Sequence, residues 1–190
     1  MRFSALLITA AVVVSGNDLL ANAATFQRRE ISEPVQVCHA KLREATTELT
    51  AVRDGVSEFT SSAGYFAALG VQSKEQSLDG ILRETSELCC RGLSISMSDE
   101  ETDASIDIIS PMIDEAIGAL QMIGDKKPEF DNTPLTTILV KNDIKSMERH
   151  TKSLLDCFSQ ESPEDRYTTI RDLSHKLGDA FSSARFTYGI

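Results

Sequence analysis

The side chains of this 190-residue chain that could do chemistry are four cysteines, three histidines and a few acidic clusters. Cys38, Cys89, Cys90 and Cys157 can oxidise in pairs, and four cysteines allow three pairings. A bond between the adjacent Cys89 and Cys90 would close a very small, strained ring. Cys38 is therefore expected to take one of them and Cys157 the other, with the choice left open. His39 beside Cys38 hints at a metal ligand, but there is no CxxC pair, and a solvated helical histidine is the expected reading. His150 and His175 lie in no HExxH or nucleophile-elbow pattern and suit exposed or half-buried helix positions. Asp99-Glu100-Glu101 and Asp114-Glu115 suit helix capping and solvation better than paired acid–base work. No glycine-rich phosphate loop is present. These residues point to disulfides, and to no catalytic residue, cofactor or metal.

The elements that must carry them begin with an address. Met1 to Ser4 supply one positive charge, Ala5 to Val14 are apolar except for Thr9, and Ala21-Asn22-Ala23 offers small residues for cleavage. Residues 1–23 thus read as a secretory signal peptide. Residues 24–29 read as a short pro-segment or flexible N-terminus ending in the dibasic pair Arg28-Arg29, and residues 30–190 as one folded domain. No later stretch approaches the roughly 18 apolar residues of a membrane span. The C-terminal residues carry no hydrophobic tail or retention tetrapeptide, and neither Asn132 nor Asn142 begins a glycosylation sequon. The expected destination is secretion, into the medium or the cell wall.

Apolar residues make up 41% of the chain, enough for one core, and the formal charge is −10. That charge opposes nucleic acid binding. With no Trp, 10 Gly and 5 Pro, the composition also excludes collagen-like and Pro/Gly-rich disordered classes.

The spacing predicts an all-α, up-and-down bundle of about five amphipathic helices. Val35, Cys38, Leu42, Ala45, Leu49, Val52, Val56 and Phe59 alternate by three and four. A Ser/Gly/Ala segment at 61–70 reads as a connection before a shorter second helix through Leu78, Leu82 and Cys89, ending at Gly92. Ser98-x-x-Glu101 is a capping box for a third helix, kinked at Pro111 and stopped at Gly124. Thr133-Pro134 and Ser162-Pro163 read as N-caps of the fourth and fifth helices. In an up-down arrangement all four cysteines then lie at one end. Inside, Ala45, Ala116, Ala180 and Ala184 mix with Phe59, Met112, Met147 and Phe181, which suits either a packed core or an acyl-chain pocket.

The order of signal peptide, long first helix, proline-containing middle helix and Lys127-Pro128-Glu129-Phe130-Asp131 before an aliphatic stretch, Leu135 to Ile144, resembles the fungal hydrophobic surface binding protein A family, also called cell wall galactomannoproteins. Leu177-Gly178-Asp179-Ala180-Phe181 closes a resemblance running from Ile31 to Tyr188. It implies a secreted or wall-associated, non-enzymatic protein whose partners are fatty acids or other lipids and hydrophobic surfaces, with an extracellular hydrolase or host protein as further candidates. The inner positions of the predicted helices then make Phe59, Ile109, Met112, Ile113, Ala116, Leu139, Met147, Leu173, Leu177 and Phe181 the expected pocket residues, on every predicted helix but the second. The chain departs from the family in lacking a Ser/Thr-rich wall-linking tail and in carrying four cysteines. Peptide mapping without reductant should find no free thiol and no Cys89–Cys90 link; either would overturn the disulfide reading.

Overall fold

The computed structural model describes residues 31–91 and 96–190, so the signal peptide, Arg28-Arg29 and the Gly92 helix stop lie outside the described residues. Five long helices carry the fold: α1 (Glu33–Glu58), α2 (Gly64–Arg91), α3 (Asp99–Asp125), α5 (Thr136–Glu161) and α6 (Tyr167–Tyr188). A 3-10 turn, Ser61–Ala63, precedes α2, and the short α4 (Lys127–Asp131) lies between α3 and α5. No strand occurs among the described residues, and no helix there is long and apolar enough to cross a membrane.

Side-chain pairs set the directions. Arg53 bonds Glu115 at 2.6 Å and His39 bonds Ser105 at 2.8 Å, so α1 and α3 run parallel. Gln72 donates to Asp143 at 3.2 Å and Ser146 to Asp79 at 2.6 Å, so α2 and α5 are also parallel. Consecutive long helices alternate up and down, as the spacing predicts. In space, however, α1 packs on α2 and α3, α3 on α6, α6 on α5, and α5 back on α2. The five helices close a ring in the order α1, α3, α6, α5, α2.

One end of the ring is stapled. Cys38–Cys89 and Cys90–Cys157 settle the open pairing, with Cα–Cα distances of 4.9 and 5.7 Å, and tie α1, α2 and α5 together. The closed loops span 51 and 67 positions and do not overlap. Chain entropy makes each bond worth about 4 kcal/mol. At the same end the capping box at Ser98 forms as predicted. The Glu101 carboxylate accepts from both Ser98 N–H and Ser32 N–H, joining the starts of α3 and α1. Partial burial works to raise its pKa, yet those hydrogen bonds hold it below the usual range.

The other end is plugged. The Lys127–Asp131 motif forms α4 and buries Phe130, whose ring stacks on Phe59 at 4.9 Å. Lys126 Nζ caps the Phe59 carbonyl at 2.8 Å, and Glu129 accepts from Ser61 N–H at 2.6 Å.

Several local expectations are corrected. The 61–70 segment is no connection: from Gly64, where φ is +76°, it is already α2, so that helix has 28 residues. Thr133 is no N-cap, because its hydroxyl donates back to the Glu129 carbonyl; α5 starts at Thr136, after Leu135 turns the chain with φ +68°. Ser162 instead donates to the Phe158 carbonyl at the end of α5, and α6 begins only at Tyr167. Helix α3 runs through Pro111, which stands on its exposed outer face.

Candidate functional site

All five long helices contribute to one apolar cavity at the centre of the ring. Its walls are Ala45, Leu49 and Val52 of α1, Leu78 and Leu82 of α2, and Met112, Ile113, Ala116, Ala119, Leu120 and Ile123 of α3. Met147 and Thr151 of α5 and Leu177 and Phe181 of α6 complete it. The Thr151 hydroxyl is committed to the Met147 carbonyl at 2.8 Å, which leaves the lining without a spare hydrogen-bond donor. The cavity volume is about 30 Å³. Ligand pockets ordinarily begin near 300 Å³, so a long guest must spread the helices or swing Met112, Met147 and Phe181 aside.

Six of the ten sequence-predicted pocket residues, Met112, Ile113, Ala116, Met147, Leu177 and Phe181, stand together on this lining. The structure does not bring the other four there. Phe59 is at the plugged end, and Ile109 is buried in the core but off the cavity. Leu173 packs partly buried at the edge of the core. Leu139 is partly exposed, because the inner stripe of α5 runs through Thr136, Val140, Ile144 and Met147. The missing wall is α2, whose Leu78 and Leu82 occupy the periodic stripe already visible in the sequence.

His39 is a second correction. It is 6% exposed rather than solvated, and it bonds the Ser105 hydroxyl. Ser105 donates its own proton to the Glu101 carbonyl at 2.7 Å, so His39 Nε2 is the donor in their contact. Burial, then nearby Arg43, lowers its pKa. His150 is half-buried and His175 exposed, as expected.

The α2–α5 seam holds a polar cluster that sequence reasoning missed, since its members come from separate helices. Glu75, 6% exposed, accepts from Gln72 at 3.1 Å and lies against Asp143. Along the seam, Asp79 Oδ1 accepts from Ser146 at 2.6 Å and meets His150 Nε2 at 3.3 Å. Ser, His and Asp do meet here, but Ser146 and His150 both bond the Asp79 carboxylate and not each other, so the hydroxyl lacks the hydrogen-bonded imidazole of a nucleophilic triad. Among the described residues no group of three His, Cys, Asp or Glu is placed to hold a metal.

No family model matches the chain, and no curated protein matches it. Solved structures do. AfMP4p in complex with palmitic acid superposes with a TM-score of 0.75 at 19% identity, covering 81% of this chain and 99% of that one. Ligand binding domain 1 of the Penicillium marneffei MP1 protein, complexed with arachidonic acids, gives 0.74 at 14% identity, covering 83% and 99%. Ligand binding domain 2 of the same protein, also with arachidonic acids, gives 0.70 at 16%, covering 85% and 95%. The chain shares their fold.

The buried seam makes stability depend on pH. Burial, then the Asp143 charge, pushes the Glu75 carboxyl from 4.5 up to about 8. Burial and Asp79 push Asp143 up as well. The folded chain thus keeps protons that the unfolded chain releases, and stability must fall as pH rises from about 4.5 towards 8. In urea unfolding, Glu75→Gln should match the parent near pH 4.5 and exceed it near pH 8. An equal pH dependence in both proteins would contradict this reading.

Proposed function

We propose that this protein is a secreted, non-enzymatic binder of fatty acids or similar lipids, related to the hydrophobic surface binding protein A group. The acyl tail lies along the axis of the five-helix ring. The observation that carries the reading is the apolar cavity at that axis, walled by all five long helices, in a fold shared with domains crystallised with palmitic and arachidonic acids. Flexible methionines and a phenylalanine beside small alanines form a lining that can part around a chain. The apparent N-terminal signal sequence supports an extracellular site of action, as do two disulfides, which persist in oxidising compartments.

A second reading, adsorption to hydrophobic surfaces, has its own observation. Phe66 is 85% exposed and Phe186 89%, with Leu135 and Ile138 also exposed near the plugged end. Adsorption through these residues needs no internal guest, and such a surface-active protein could recruit an extracellular hydrolase.

The two readings separate by mass and by chain length. Delipidated, oxidised protein should gain a stoichiometric fatty acid mass in native mass spectrometry. Across a series of saturated fatty acids, each added methylene should tighten binding about fourfold while the interior still accommodates it, the effect of about 0.8 kcal/mol per buried group. An unchanged protein mass after incubation with palmitate would overturn the lipid-binding reading and leave surface adsorption.

A further inference from the structure

We infer that the groove between α5 and α6 is the doorway to the central cavity and the seat of the guest's ionised carboxylate, held at its mouth by Lys152 and the Ser174 hydroxyl; this rests on the fatty acid reading.

The groove encloses about 350 Å³, and three of its lining residues, Thr151, Leu177 and Phe181, also wall the central cavity. A single layer of side chains therefore divides the two spaces. No other described groove comes as close. The larger one between α1 and α3, beside Thr46 and Pro111, shares no lining residue with the cavity. The one beside Gly55 and Lys74 also shares none, and the α3–α6 groove shares only Leu120.

The sequence of α6 explains why the seam is open there. Ser174, Gly178 and Ser182 recur every four residues, so they fall on one helix face and present almost no side chain to α5. A Cβ built on Gly178 would meet nothing within 4 Å.

Electrostatics then decides which end of a fatty acid goes in first. An ionised carboxylate is costly to bury without donors, and the cavity has none to spare. The head must stay at an opening while the tail passes inside. At this mouth, Lys152 is exposed and joins no ion pair among the described residues, and Ser174 lines the same groove from α6. His175 adds two ring nitrogens to the same rim. Of the rim acids, Glu148 is engaged by Arg185 at 3.3 Å, leaving Asp179 as the acid without such a partner.

The test measures uptake and affinity separately, on the oxidised, delipidated protein with palmitate and with hexadecan-1-ol. Gly178→Leu places a branched side chain in the middle of the groove and should slow palmitate uptake at least about tenfold. Gly124→Leu, on the α3–α6 groove where an added Cβ also meets open space, should leave it unchanged. Lys152→Glu alters an exposed side chain, so its test stands even if Gly178→Leu does not fold. It should weaken palmitate about two- to fivefold and leave the alcohol unaffected. If the parent protein takes up palmitate and neither Gly178→Leu nor Lys152→Glu alters it, or if Gly124→Leu slows it as much as Gly178→Leu, the doorway is overturned and the fatty acid reading stands. If the parent protein takes up none, both fall.

Discussion

Five helices packed edge to edge in a ring enclose an axis that no helix occupies, and side chains alone must reach across to fill it. The rest of the structure depends on that constraint. Ala45, Ala116 and Ala119 draw α1 and α3 close to the axis, while Met112, Met147, Leu177 and Phe181 supply the bulk that closes it to about 30 Å³. A void of that size costs about 0.7 kcal/mol at about 24 cal/mol per Å³. The interior is thus well filled, but by separate side chains, two of them unbranched methionines that can adopt several rotamers. The two ends of the ring are fixed by stronger means, the disulfides and the shared Glu101 carboxylate at one and the Phe59–Phe130 stack at the other.

The fixing is uneven around the ring, and the unevenness bears on function. Disulfides join α1, α2 and α5, but none reaches α3 or α6. Helix α6 is held by the exposed Arg166–Asp103 pair, by the Tyr188 hydroxyl on the Ile123 carbonyl at 2.9 Å, and by Arg185 with Glu148. Surface ion pairs of this kind contribute about 0 to 1 kcal/mol each. Of the two helices lining the α5–α6 groove, α6 is thus the one that no disulfide holds, and its buried face, through Ile170, Leu177, Phe181, Ala184 and Tyr188, carries most of its attachment. On the opposite side of α5, the protonated Glu75–Asp143 contact keeps the α2–α5 seam closed without burying two full charges.

How much of this could be read from the sequence depended on whether the signal was local. Helices α1 and α3 announce themselves through three–four spacing and the Ser98–Glu101 capping box. The first turns of α2 do not, because Tyr65, Phe66 and Leu69 are exposed and leave no clear inner stripe. The start of α5 depends on α4 and on the left-handed Leu135, a conformation that sequence rules assign first to glycine. The four cysteines could be placed at one end of a bundle, yet choosing between Cys89 and Cys90 as the partner of Cys38 required the helix orientations. Most pocket residues on α3, α5 and α6 followed from periodicity. The α2 wall and the Glu75 cluster arise where helices far apart in the chain become neighbours, which one helix's pattern cannot reveal. His39 was misjudged for the same reason: its partner, Ser105, lies 66 positions away.

The central claim is that a fatty acid tail enters the axis of the ring. Its most direct test is a titration of the protein, labelled with ¹³C at its methionine methyls, with palmitate, followed by NMR. Met112 and Met147 line the axis, whereas Met97 is buried by the stapled end against the Ser105 hydroxyl. The account predicts that the Met112 and Met147 methyl signals shift and saturate at stoichiometric palmitate while Met97 stays in place. Unmoved Met112 and Met147 signals at saturating palmitate would contradict it.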